Sequence, residues 1–278
     1  MKKHLLLLTS AVIAFTACRR DVEPGERDTE ISFKTEITTP TRVTDNLFEA
    51  GDNIVVTATD EDGKDFVANV SYSFASDLFT SSSPITKDDQ STKLQFTAIY
   101  PATSTLENEF SFTVYENQNS GDNFELSDLL VAVTGLTSET TPTLTFDHKL
   151  TNIAVNFKFS DGEVMTPEDA VIYALTTTVC DIEADSFIAS EDDFAAITPK
   201  MTSESTCAAI IAPQTVLDTE AFIQATYNGT LYTYSFAANT VLESGYMYEY
   251  DFIVDAETGE VTIDLINATI DDWTEGEL

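Results

Sequence analysis

Period-two alternation of apolar and polar residues, broken at short intervals by turn signals, constrains this chain more than any other feature. Ile31-Ser32-Phe33-Lys34-Thr35-Glu36-Ile37 sets the pattern. Successive strand side chains point to opposite faces, so such a run buries one face and wets the other. Further β-rich runs occupy residues 53–59, 94–100, 110–115, 153–159, 171–179, 207–211, 222–227, 231–236, 246–254 and 261–266. Asp62-Gly63, Tyr100-Pro101, Asp161-Gly162, Asn228-Gly229 and Thr258-Gly259 punctuate them. Asn228-Gly229, set between two aromatic runs, predicts a hairpin, because both residues tolerate the left-handed backbone of a two-residue turn. Helical signal is slight. Residues 127–133 read as a single helical turn. Thr166-Pro167-Glu168-Asp169 has helix-start chemistry, but the β-branched run behind it predicts a turn and then a strand. The class is all-β, and many short strands at this spacing fit β-sandwiches.

The N-terminus has a different logic. Lys2 and Lys3 precede an apolar stretch from Leu5 to Phe15, the length of a signal-peptide core rather than a membrane span. Phe15-Thr16-Ala17-Cys18 follows and resembles a bacterial lipobox, in which the peptidase cuts before a Cys that is then acylated. Residues 1–17 therefore read as a lipoprotein signal peptide and Cys18 as the lipidation site. The competing reading is an ordinary signal peptide with an incidental Cys.

Charge narrows the partners. The formal net charge is −35, and such a field repels nucleic acid and anionic membrane surfaces. The only arginines are Arg19, Arg20, Arg27 and Arg42, so an Arg-specific protease has no site beyond Arg42. Cys180 and Cys207 are the cysteines left besides Cys18. In an exported domain they form either a disulfide or two buried thiols acting as small apolar residues.

Catalytic patterns are missing. His148 is the one histidine beyond the signal, and Phe146-Asp147-His148-Lys149-Leu150 carries no nucleophile signature, so it reads as structural. No Gly-rich phosphate loop occurs, and no His or Cys set has metal-ligand spacing. Asp60-Glu61-Asp62-Gly63-Lys64-Asp65 resembles half of a calcium loop but lacks the distal bidentate Glu, and reads better as an acidic hairpin turn. No enzyme activity, cofactor or metal is expected.

Short motifs spread along the chain resemble those of the fimbrillins, the pilus-subunit family of Bacteroides-like bacteria. They are Cys18; Ile31-Ser32-Phe33 before Thr41-Arg42; Phe48-Glu49-Ala50-Gly51-Asp52-Asn53-Ile54; Phe96-Thr97-Ala98-Ile99-Tyr100-Pro101; Ser127-Asp128-Leu129-Leu130-Val131-Ala132; Phe146-Asp147-His148-Lys149-Leu150; Ile211-Ala212-Pro213-Gln214; Glu243-Ser244-Gly245-Tyr246-Met247-Tyr248; and Ile270-Asp271-Asp272-Trp273. The resemblance implies two transthyretin-like β-sandwich domains in tandem, at residues 43–143 and 144–278, behind an N-terminal segment at 18–42. It also implies assembly by strand exchange. A surface protease cuts after an Arg, here between Arg42 and Val43, and removes the first strand, here carrying Ile31, Phe33 and Ile37. A C-terminal strand of a neighbour then fills the groove. Val261, Ile263, Leu265, Ile270 and Trp273 are the donor candidates.

The implied partners are other pilus subunits, an outer-membrane lipid anchor during export, and host or bacterial surface ligands. The implied place is the outer membrane or the pilus. The short stretch after Trp273 adds a tip or minor subunit as an option beside a stalk subunit. The alternative is a surface lipoprotein that binds glycan or host protein without polymerising, with Tyr227, Tyr232 and Tyr234 as candidate contacts.

Overall fold

The computed structural model describes residues 28–37, 48–102 and 105–269. Cys18, Arg42, Val43, Ile270 and Trp273 lie outside them. The first strands are β1 (Thr29–Glu30), β2 (Lys34–Ile37), β3 (Asn53–Thr59), β4 (Asp65–Ala75), β5 (Leu78–Thr80), β6 (Thr86–Lys87), β7 (Gln95–Tyr100) and β8 (Glu109–Thr113). Next come β9 (Leu130–Val133), β10 (Thr143–His148), β11 (Thr151–Phe159), β12 (Asp169–Leu175), β13 (Thr177–Asp181), β14 (Ser186–Ala189), β15 (Phe194–Ile197) and β16 (Lys200–Met201). The last are β17 (Thr206–Ile211), β18 (Gln214–Val216), β19 (Ile223–Tyr227), β20 (Thr230–Tyr234), β21 (Thr240–Leu242), β22 (Met247–Val254) and β23 (Val261–Thr269). The protein is all-β, as its alternation predicts.

Seven strands form the N-terminal sheet in the order β2-β10-β9-β7-β3-β4-β5. Its alternation serves two cores. Ile54, Val56, Ala58, Phe96, Ala98, Tyr100, Leu130 and Ala132 face a first core with Phe33, Tyr72, Phe79 and Phe146. The intervening Val55, Ile99 and Val131 face a second, larger core. Both faces are thus covered, which explains the near-continuous apolar runs in β3 and β7.

The second core lies among a five-stranded sheet (β16-β17-β11-β22-β23), a four-stranded sheet (β15-β12-β19-β20) and a three-stranded sheet (β14-β13-β8). In the five-stranded sheet Ile153, Val155, Phe157, Tyr250, Phe252 and Val254 point inward. On its other face Asn156 donates to Glu249 and Asp251, and Lys158 pairs with Asp251. This is the polar-out half of the pattern.

Several boundaries differ from those the sequence implies. The division at 143/144 falls at the first residue of β10, which pairs with β2 and β9 inside the N-terminal sheet. Membership changes from the first core to the second between Phe146 and Leu150. Between β7 and β9 the chain leaves its sheet, adds β8 to β13, and places Leu106, Phe112, Phe124 and Leu129 in the second core. Residues 127–133 are not a helical turn. A short 3-10 turn ends at Ser127, and Leu130–Val133 is a buried strand between β7 and β10. The run 171–179 bends at Thr176 into strands of two sheets, with the Thr176 N–H donating to Asp193 O and the Leu175 N–H to Gln214 Oε1.

The turns follow their chemistry. Asn228 and Gly229 both have positive φ and join β19 to β20. Asp60 Oδ1 accepts the N–H groups of Asp62 and Lys64, so that carboxylate caps its own turn. Gly245 has φ +77, and a Cβ there would lie 3.1 Å from His148 O, so the close pass of β22's leading turn under His148 needs glycine.

Candidate functional site

The segment 28–37 closes the N-terminal sheet on itself. On one side β2 runs parallel to β10, with Lys34 opposite Thr143 and Ile37 opposite Phe146. On the other, Phe33 and Phe79 exchange a pair of backbone hydrogen bonds of 3.1 and 2.9 Å, linking the segment to β5 at the opposite edge of the same sheet. The Ile31 N–H donates to Ile85 O, Ser32 to Thr140 O and Lys34 to Pro142 O, while β1 pairs with β6. One short stretch therefore satisfies backbone groups of strands that are otherwise edges.

Its side chains fill the first core. Phe33 is fully buried, with its ring edge-on to Tyr72 at 4.9 Å and to Phe96 at 5.1 Å. Ile31 is buried beside it, and Ile37 packs half-buried at the end. Removing two such side chains from water stabilises by about 1.5–3 kcal/mol each. Tyr72 ties the segment down: its hydroxyl donates to Ile31 O at 3.2 Å and accepts the Ile85 N–H at 2.9 Å. Burial pushes the Tyr72 phenol up to about 12; the Ile85 N–H opposes this and the Glu30 charge adds to it. Under β1, the buried Lys87 ammonium donates to the main-chain carbonyls of Gln90, Thr92 and Ser138. Residues 28–37 thus fill an apolar trough lined by Tyr72, Phe79, Phe96 and Phe146.

At the other end β23 is the edge strand of its sheet, antiparallel to β22. Val261 and Ile263 pack half-buried against the second core, whereas Leu265 and Ile266 are 53% and 51% exposed. A bulge at Ile266, between the Glu249–Asn267 and Tyr250–Leu265 pairs, breaks the alternation there. β23 therefore holds its own domain by a loosely buried face.

The remaining candidates occupy other roles. Cys180 on β13 and Cys207 on β17 are both buried in the second core as free thiols. Burial pushes the Cys180 thiol up to about 12, and that of Cys207 upward too. His148 is buried, with Nδ1 2.9 Å from Asp128 Oδ1, in a packed setting between β10 and the 3-10 turn. Tyr227, Tyr232 and Tyr234 pack half-buried against the second core, Tyr227 edge-on to Phe159. Among the described residues no cluster of His, Cys, Asp or Glu is placed to hold a metal ion, and no helix is long and apolar enough to cross a membrane.

Fold and site together define a class: an all-β protein, built on two cores, whose N-terminal segment completes its own sheet. Within that class the chain belongs to the fimbrillin-like family, whose profile matches residues 41–273. Solved structures share the fold. A "putative cell adhesion protein" from Bacteroides ovatus superposes with a TM-score of 0.70 at 17% identity, covering 89% of this chain and 99% of that one. A second protein of that description, from Bacteroides uniformis, gives 0.67 at 17% identity over 91% and 100%. A fimbrial protein from Bacteroides ovatus gives 0.52 at 19% identity over 82% of this chain and 49% of that one. No protein with a curated description matches.

Proposed function

We propose that this chain is a structural or adhesive pilus subunit, exported as a lipoprotein anchored at Cys18 and assembled by proteolysis-triggered strand exchange. The observation that carries the reading is the double seating of segment 28–37 between β10 and β5, with Phe33 and Ile31 buried in the core. Family membership supports the pilus or adhesin role, and the descriptions of the structural relatives agree with it. A cut between Arg42 and Val43 frees this segment, since no arginine follows. The vacated trough then takes an alternating strand from a neighbour. Val261, Ile263 and Leu265 supply one such strand, and Ile270 and Trp273 lie just beyond it. In this reading the two cores correspond to two tandem transthyretin-like sandwich domains. The molecule works at the outer membrane and in the pilus, with other subunits and surface ligands as partners and no catalytic role.

The test is limited trypsin treatment of lipid-free protein carrying Cys18→Ser, with Arg42→Ala as control. The cut protein is expected to polymerise, or to bind a peptide spanning residues 261–273, while uncut and Arg42→Ala proteins do neither. A cleaved protein that stays monomeric and ignores the peptide rules out strand exchange. Protein recovered from cells that still begins at Cys18 favours the non-polymerising surface lipoprotein.

A further inference from the structure

A second groove lies in the C-terminal half, away from the N-terminal trough. It has a volume of about 820 Å³ and runs between β14, β15 and the β18–β21 pair. Its lining is apolar where water should be. Ile188 is 64% exposed, Val241 60%, Phe194 47% and Leu217 41%. Val179, 51% exposed, sits directly across from Ile188 in the β13–β14 ladder and extends the patch onto the neighbouring strand of the same sheet. Scattered exposed apolar residues need no explanation, but four lining one groove with a fifth beside it do.

Two other features say what the groove suits. β14 and β15 are terminal strands of their sheets; the Ala189 N–H of β14 already donates to Pro213 O, so an extended backbone would add along what remains of these edges. Glu191, Glu220 and Glu243 line it, and no lysine or arginine does among the described residues. An occupant must therefore supply apolar side chains, an extended main chain and positive charge. The chain's own C-terminal residues fit the charge poorly, since Asp271, Asp272, Glu275 and Glu277 lie among them. A second copy brings a similar excess of carboxylates. We infer that this groove binds an extended peptide segment of a partner protein in which apolar residues alternate with lysine or arginine. The site is independent of strand exchange at the N-terminus.

The experiment uses the full chain with Cys18→Ser and two dye-labelled ten-residue probes, one alternating Val and Lys, the other Val and Glu, read by fluorescence anisotropy. The Val–Lys probe is expected to bind at least about tenfold tighter than the Val–Glu probe. Ile188→Ser with Val241→Ser should weaken it about tenfold by removing apolar contact, and Glu191→Gln, Glu220→Gln and Glu243→Gln together by a similar factor. All five side chains lie at the surface of the groove, so thermal unfolding should confirm that both variants fold. Equal binding of the two probes overturns the charge assignment. Val–Lys binding that neither variant weakens places the probe elsewhere on the acidic surface and overturns the site. If the apolar variant instead shifts the monomer–dimer equilibrium, or the emission of Trp273, the chain's only tryptophan, the occupant is a second copy or the chain's own C-terminal segment, and the inference fails.

Discussion

Phe33 carries the tightest single contact of the N-terminal segment. Its ring fills a space shaped by Tyr72 and Phe96, and nothing nearby is free to collapse into it. Phe33→Ala should therefore cost about 3–5 kcal/mol in urea unfolding of the uncut chain. Trypsin-cleaved protein should not distinguish the variant from the parent, because the residue is gone. A matching loss in both forms would show that Phe33 acts outside the trough. Buried acids give a second expectation. Phenol and thiol ordinarily titrate near 10.0 and 9.0, and burial holds Tyr72 and Cys180 near 12. Tyr100 and Tyr250 move the same way. The folded state keeps these protons longer than the unfolded chain, so their contribution is complete below about pH 9 and drains away as pH rises toward 12. Stability from reversible urea unfolding should be level up to pH 9 and fall steadily above it; a rise between pH 10 and 12 would contradict the assignment. Phe33 and Ile31 were legible in the sequence because alternation alone puts both on one face. Tyr72 was not: its hydroxyl joins Ile31 O to the Ile85 N–H, and no local pattern marks a contact assembled from three separate segments.

Strands that alternate cleanly, such as β11, β19 and β22, were legible in outline, and those that break the rule were not. β4 carries Asn69 at positive φ, and its register against β3 shifts twice, so its apolar residues change face midway. β10 alternates well, burying Leu144, Phe146 and His148, but the Thr/Ser/Pro composition before it reads as linker. The excursion of β8 into the second core depends on a pairing with β13, 64 residues away at Thr113–Thr177, which no window of sequence displays. β23 was legible as a strand, but its loose hold was not, because the bulge at Glu249 and Tyr250 belongs to the pairing rather than to either strand. Local opening follows buried contact, so β23 should open more readily than its neighbour. Hydrogen exchange followed by mass spectrometry should show amides of 261–269 exchanging well before those of 247–254. If the two exchange together, β23 opens only with the whole domain and is a poor donor.

At the scale of the molecule, charge opposes every association of copies. Residues 18–42 carry five basic and six acidic side chains, so once the signal is gone a cut after Arg42 takes the formal charge from −37 to −36 and leaves six lysines as the only basic side chains. Two such molecules must approach before a donor strand can reach a trough, and their fields meet first. The Debye length is about 30 Å at 0.01 M salt and about 8 Å at 0.15 M. In dilute buffer the repulsion thus extends over a whole domain, and at physiological ionic strength it shrinks below the length of the strand being exchanged. The apolar burial that rewards insertion changes little over this range. Salt should therefore act on the rate of assembly and leave the finished contact almost untouched. Polymerisation of cleaved protein, followed by light scattering, is expected to accelerate as sodium chloride rises from 10 to about 150 mM, while polymers already formed should not dissociate on return to low salt. Uncut protein should stay monomeric throughout, since its trough is occupied. Assembly that runs fastest at low salt would mean that opposed patches of unlike charge steer the encounter, and the six lysines would be the residues to test.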